Sequence, residues 1–218
     1  MNQPINFEEI INNKIFEGST DKNNEAQSDK KFRPSSAGFC ERQMFLSKAG
    51  LKKFNKSIIG AMKAGSLLHE WIEKDLKEKG LTEQSILTEF KDTDINPNKV
   101  YYEGTFDFYD HSILYDFKST SNLNYVDGIS DIHKDQLLIY MKGLGATKGS
   151  VVYIDKRDLR AKQYFLDFDE PRVKQIFKKT NRVYEALIKW KTNGMNIKNI
   201  PFEKCGCFMC RGEVLENG

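Results

Sequence analysis

The sequence predicts an α/β protein in which helices flank a mixed central sheet. Apolar residues recur at helical spacing in some segments and alternate at strand spacing in others. The segments follow the order helix, three strands, helix, two strands, helix, which describes an α/β sandwich. The composition, 39% hydrophobic and 30% charged residues, is typical of a globular protein.

The first 34 residues are predicted to lie outside the folded domain. Phe7, Ile10, Ile11 and Ile15 sit at helical spacing and indicate a short amphipathic helix. Residues 18–34 have almost no apolar content and indicate a mobile linker. We therefore expect residues 1–34 to be a helix and linker, and residues 35–218 to form one domain.

Two helices are predicted before the sheet. Ser35 and Ser36 offer capping hydroxyls ahead of a helix over Glu41–Lys48, which Gly50 closes. A longer helix over roughly Ile58–Lys79 ends at Gly80. Its predicted apolar stripe consists of Ile59, Met62, Leu68, Trp71, Ile72 and Leu76.

Beyond Gly80 the apolar period changes to that of strands. The predicted strands are Ser85–Lys91, Val100–Tyr109, Ile113–Lys118, Ser150–Asp155 and Ala161–Leu166. A helix over Asp131–Leu144 separates the third strand from the fourth, and Pro171 opens a long final helix.

Two carboxylates and a lysine converge on the predicted hairpin. Asp107 lies on one strand, and Asp116 and Lys118 lie two residues apart on the next, so their side chains share a face. Carboxylates from two strands suit a hard cation such as Mg²⁺ or Mn²⁺. The lysine could orient or deprotonate an attacking water, although a D-x-K triplet alone is also common on protein surfaces.

Neighbouring helices supply further candidates. His69, in the long amphipathic helix, could add an imidazole ligand, and Glu73, one turn further on, could support the site as an acid behind the ligands. Gln136 and Tyr140 lie four residues apart on the helix after the hairpin and therefore on one face. An amide and a phenol placed there could contact a substrate backbone or brace the lysine.

Four spaced pairs therefore occur in order along the chain: Gly65-x3-His69, Gly104-x2-Asp107, Asp116-x-Lys118 and Gln136-x3-Tyr140. In this order the chain, from about Ser35 to Leu166, resembles the RecB-like branch of the PD-(D/E)xK nucleases, whose core is restriction-endonuclease-like. The resemblance implies these metal ligands: His69, Asp107, Asp116 and the backbone carbonyl of Phe117. It also implies that Lys118 is catalytic with Asp116 and Asp107, and that Gln136 and Tyr140 support the site or contact DNA.

The four cysteines form a separate candidate centre. Cys40 stands at a helix start, whereas Cys205, Cys207 and Cys210 cluster after the last helix. Four thiolates complete a tetrahedral set for zinc or an iron–sulfur cluster, and would join the chain ends over the core. Free buried cysteines are the alternative.

The cysteine order is similar to that of the CRISPR-associated RecB-family exonucleases and the AddB nuclease domain, in which one cysteine precedes the core and three follow it. Cys40-Glu41-Arg42 resembles their first-cysteine segment, with Arg42 as its basic residue. The resemblance implies a structural 4Fe–4S cluster. Those families space the last three cysteines more widely than the C-x-C found here, so Zn²⁺ remains the alternative.

These features together predict a metal-dependent deoxyribonuclease, an exonuclease acting on single-stranded or frayed DNA ends. No G-x4-G-K-[ST] motif is present, so a helicase partner or already open ends would be needed. The alternative is a DNA-end-binding subunit of a recombination or spacer-acquisition assembly with an integrase partner. A third, a structural zinc protein, would require His69 to lie far from Asp107.

We expect a cytoplasmic protein, bacterial or viral, with no membrane partner. The chain lacks an apolar run long enough to span a bilayer, and its polar first residues do not have the order of a signal peptide.

Overall fold

Six strands form one mixed sheet in the computed structural model, which describes residues 28–52 and 56–213. The strands are β1 (Lys31–Phe32), β2 (Leu81–Glu89), β3 (Tyr101–Tyr109), β4 (Ile113–Thr120), β5 (Lys148–Asp155) and β6 (Ala161–Asp167). Strands β2, β3, β4, β5 and β6 pair in that order, and β1 pairs with β3; the pairs β1–β3 and β4–β5 are parallel, and the other pairs are antiparallel. The predicted mixed sheet is confirmed.

Helices cover the two faces of the sheet. The α-helices are α1 (Glu41–Lys48), α2 (Lys56–Leu76), α3 (Asp131–Leu144), α4 (Glu170–Thr192) and the single turn α5 (Phe208–Arg211). Buried apolar residues of α1, α3 and α4 pack with the sheet in the main core. On the other face, α2 packs against a smaller cluster of Phe108, Phe117 and Ile154. No helix of the described residues is long and apolar enough to cross a membrane.

Local capping sets the ends of α3, whose bounds match the prediction. The Ser130 hydroxyl accepts a hydrogen bond from the His133 N–H at the start of the helix. Gly145 ends the helix in the left-handed conformation, with φ 76°, which glycine adopts without strain. The helix forms the crossover between the parallel strands β4 and β5.

Strand β3 has an interrupted edge at the centre of the sheet. Along one edge it pairs with β2 over nearly its whole length. Along the other edge β1 pairs only at Tyr101 and Tyr102, and β4 pairs only at Phe108 and Tyr109. Residues 103–107 lie between these two short ladders, so an opening separates β3 from β4 at this point.

Three expectations about the elements need correction, and a fourth is untested. Lys31 and Phe32 pair with β3 although the linker was expected to reach residue 34, because backbone pairing does not require apolar side chains. The first long strand begins at Leu81 and ends at Glu89, since pairing with β3 sets its length. Helix α2 ends at Leu76, not Lys79. The predicted helix around Phe7–Ile15 lies outside the described residues.

The predicted apolar stripe of α2 is also partly wrong. Leu68, Ile72 and Leu76 pack against the sheet. Met62 and Trp71 are each 58% exposed, because they lie outside the row of α2 side chains that faces the strands.

Candidate active site

Asp107 occupies the opening between β3 and β4. Its Oδ2 atom accepts a hydrogen bond of 2.6 Å from the backbone N–H of Phe117. The Asp107 carboxylate takes the place of a β3 carbonyl as the acceptor for this N–H. The two strands therefore do not pair directly at this point. The other oxygen of Asp107 is directed toward α2, where it lies 3.7 Å from His69 Nδ1.

Asp116 and Lys118 lie together on β4, as their spacing predicts. Lys118 Nζ is 2.6 Å from Asp116 Oδ2, and Gln136 Nε2 donates to Oδ1 at 3.2 Å. Oδ2 is buried, and the Lys118 ammonium is its partner in this ion pair. Burial raises the pKa of Asp116 to about 6 even though Lys118 opposes the shift.

Helix α2 brings His69 and Glu73 to the opening from one side. The candidate ligand atoms of His69, Glu73 and Asp107 all lie within 4.8 Å of one another. Burial disfavours the charged imidazole, but the hydrogen bond and charge of Asp107 outweigh it and raise the pKa of His69. The sequence placed Glu73 behind the ligands, whereas the structure places its carboxyl among them. Asp116 is not a member of this set.

A carboxyl that sequence reasoning missed lies beside Glu73. Glu83 has φ 46° and is skipped in the register between β2 and β3, where Thr82 pairs with Phe108 and Gln84 pairs with Phe106. Burial, with the neighbouring Glu83 carboxyl adding to it, raises the pKa of Glu73 to about 8. No local pattern marks a single glutamate in a strand as unpaired, so the sequence offered no signal for it.

Replacing Glu73 with glutamine is expected to stabilise the metal-free protein at pH 8 by about 1–2 kcal/mol, less than the full pKa change implies because solvent screens part of the interaction. The folded pKa of Glu73 is about 8 and its ordinary value is 4.5, so the folded state holds a proton that the unfolded chain releases. The stability of the parent protein therefore falls as pH rises from about 4.5 to about 8. Glutamine does not titrate, so the Glu73→Gln variant lacks this loss of stability. Denaturant unfolding with EDTA at pH 8 and pH 4 measures the difference.

The matched control for this change is Glu70→Gln, on the exposed side of the same helix. It is expected to leave stability unchanged at both pH values. If Glu73→Gln and the parent protein were equally stable at pH 8, the pKa of Glu73 would not be raised by burial and by Glu83.

Tyr140 and Gly104 pack together behind the opening. Tyr140 is buried, and burial raises its pKa. A Cβ atom on Gly104 would lie 2.7 Å from Pro34 Cδ and 3.2 Å from the Tyr140 hydroxyl, so only glycine fits at this point. The Gly104-x2-Asp107 spacing therefore reflects close packing of the segment around Pro34 on β3.

The four cysteines converge on the other side of the molecule. Cys40 Sγ is 3.7 Å from Cys210 Sγ and 3.9 Å from Cys207 Sγ, and Cys205 Sγ is 3.7 Å from Cys210 Sγ. Arg42 lies beside them, with its guanidinium bound at 2.7 and 2.8 Å by both oxygens of Glu213. This pairing favours a supporting role for Arg42 at the chain ends over contact with DNA.

The mixed sheet flanked by helices is shared with several solved structures. The chain is similar to the solved structure of SSO0001, with a TM-score of 0.59 and 21% identity over 82% of this chain and 87% of that one. It is also similar to LHK-Exo, an alkaline exonuclease from Laribacter hongkongensis, with a TM-score of 0.54 and 14% identity over 76% of this chain and 93% of that one.

A second LHK-Exo structure, in complex with dAMP, gives a TM-score of 0.52 at 15% identity, again over 76% of this chain and 93% of that one. No family model and no curated protein matches the chain. At these identities the likeness shows the fold, and the mixed α/β architecture predicted from the sequence is confirmed, with exonucleases among the structures that share it.

Proposed function

We propose that the protein is a divalent-metal-dependent DNA exonuclease. The observation that carries the proposal is the convergence of one imidazole, several carboxyls and one lysine on a break in the sheet. Gathering such charges without a cation or a substrate is costly. The fold shared with an alkaline exonuclease, and the dAMP found in one of its structures, support DNA as the substrate class.

The residues present fit a divalent cation. Asp116 Oδ2 is buried beside the Lys118 ammonium, and burial and neighbouring acids raise the pKa of both Asp116 and Glu73. A bound cation would favour their ionised forms. Carboxylate oxygens suit Mg²⁺ and Mn²⁺, and one imidazole is compatible with Mn²⁺. In the proposed set, the Phe117 carbonyl joins His69, Glu73, Asp107 and Asp116.

The chain's own residues would then perform the hydrolysis. When bound, the cation supplies Lewis-acid activation of the phosphodiester. Lys118 Nζ, held as an ammonium beside Asp116, would orient a water for attack on phosphorus, and the proton of that water would pass to bulk solvent. Attack forms a new P–O bond and breaks the bond to the leaving oxygen, while the ammonium offsets the charge that develops on the phosphoryl oxygens.

The supporting contacts hold this geometry in place. The Phe117 N–H fixes one oxygen of Asp107, and the Gln136 amide fixes one oxygen of Asp116. The second oxygen of Asp107 faces His69 and that of Asp116 lies beside Lys118, so both carboxylates are held in fixed orientations. The intact pair of Asp116 and Lys118 favours a catalyst over a subunit that only binds DNA ends. Because the chain has no ATPase motif, we propose that the ends it acts on are already open or are opened by a helicase.

Linear single-stranded DNA is expected to be degraded with Mg²⁺ or Mn²⁺, whereas a covalently closed circle of the same sequence remains intact. The physical reason is that an exonuclease needs an end to enter its site. Gel analysis of both substrates, with and without EDTA, measures the difference. An uncut linear substrate in both metals would contradict the nuclease proposal, and equally rapid cutting of the circle would contradict the exonuclease proposal.

A further inference from the structure

The spacing of the four cysteine sulfurs distinguishes between the two centres that four thiolates can hold. All four Sγ atoms lie within 4.8 Å of one another. Three of the Sγ–Sγ distances are 3.7, 3.7 and 3.9 Å. Four thiolates that bind one Zn²⁺ at about 2.3 Å form a tetrahedron with edges of about 3.8 Å. The observed separations therefore match a tetrahedron around a single ion.

An iron–sulfur cube does not fit between these sulfurs. In a 4Fe–4S cluster each thiolate binds a different iron, and four irons and four sulfides lie between the thiolates. The thiolates of such a cluster are therefore held well apart. In this chain the neighbouring sulfurs lie 3.7–3.9 Å apart, so a cube of eight further atoms would require the four cysteine side chains to move apart. The C-x-C spacing of Cys205 and Cys207, which is closer than in the iron–sulfur nucleases it resembles, agrees with a more compact centre.

We infer that the four cysteines bind a single Zn²⁺ ion and not a 4Fe–4S cluster. Zinc prefers tetrahedral thiolate sites that are closed to other ligands, which is the arrangement of Cys40, Cys205, Cys207 and Cys210. The centre is a structural one without redox chemistry, since Zn²⁺ has a filled d shell.

Hydrogen bonds around the sulfurs fit this assignment. The backbone N–H of Cys210 donates to Cys207 Sγ at 3.4 Å, and Gln43 Nε2 approaches Cys210 Sγ at 3.7 Å. Gln43 Nε2 also donates to Glu213 at 2.9 Å, and Glu213 in turn binds Arg42. This network orients the thiolates and fixes the turn Cys205–Cys210 against α1, as outer contacts do at other zinc sites.

Metal analysis of the full-length protein tests the inference directly. The protein is expressed with supplements of iron, sulfide and zinc, and purified under anaerobic conditions so that a labile cluster would survive. We expect about one zinc per chain, no acid-labile sulfide and no visible absorption. About four irons and four sulfides per chain, with a brown colour, would overturn the inference, as would a single iron without zinc.

Variants and cobalt separate this centre from the proposed active site. Replacement of the ion by Co²⁺ is expected to produce the visible bands of tetrahedral thiolate coordination, which Cys205→Ser should weaken or shift. Asp116→Asn is expected to keep the full zinc content, because Asp116 lies in the proposed active site and contacts none of the four cysteines. If Cys205→Ser does not fold, the metal and sulfide content of the parent protein still decides the matter. Neither measurement depends on nuclease activity.

Discussion

Asp116→Asn and Lys118→Met are each expected to lower the rate of DNA cleavage by about a thousandfold or more. Asparagine keeps the shape of Asp116 but loses the charge of the buried carboxylate, whose Oδ2 is proposed to bind the cation. Methionine keeps the length of Lys118 but loses the ammonium 2.6 Å from that carboxylate. Initial rates on end-labelled linear DNA with Mn²⁺ measure both effects.

Two surface substitutions serve as matched controls. Asp158→Asn removes a carboxylate that pairs with Arg160 in an exposed turn, and Lys148→Met removes an exposed lysine at the start of β5. Both are expected to cleave at the parent rate. Thermal unfolding checks that all four variants are folded. Undiminished cleavage by folded Asp116→Asn or Lys118→Met would show that the activity resides elsewhere in the chain.

Gly38→Ala is expected to destabilise the protein by about 3 kcal/mol. A Cβ atom at this position would lie 2.3 Å from the Cα atom of Ile132 and 2.8 Å from its carbonyl oxygen. Both are backbone atoms of α3, so no change of rotamer can relieve the overlap. The segment before Cys40 would have to move away from α3. Denaturant unfolding of the variant and the parent protein measures the cost.

The control for this change is Gly128→Ala, since a Cβ atom there meets nothing within 4 Å. It is expected to change the free energy of unfolding by less than about 0.5 kcal/mol. If Gly38→Ala were as stable as Gly128→Ala, the close packing of the Gly38 segment on α3 would be incorrect.

Local signals were sufficient to predict most of the helices and strands. Helix α3 has its predicted bounds because Ser130 and Gly145 mark both ends in the sequence itself. The turn after Tyr109 and the start of β4 at Ile113 were likewise predicted from local polarity. The convergence of Asp107, Asp116 and His69 could be expected because residue spacing and element type determine which face each side chain occupies.

Features that depend on contacts between distant segments could not be predicted in this way. Strand β1 exists because Lys31 and Phe32 meet β3 some seventy residues later in the chain, and neither residue signals a strand locally. The register slip at Glu83, which brings a further carboxyl to Glu73, depends on how β2 meets β3. The exposure of Trp71 depends on which side of α2 the sheet covers.

The break along β3 also has a consequence for solubility. Unpaired strand segments invite the edge of another chain to add to them, which is a common route to aggregation. Here Pro34, which has no N–H to donate, packs against Gly104, while the Asp107 carboxylate already accepts from Phe117 N–H. The negative charge beside the break would also repel a strand bearing acidic residues. The Asp107 carboxylate, which is proposed to bind the cation, therefore also disfavours the addition of another strand at the break.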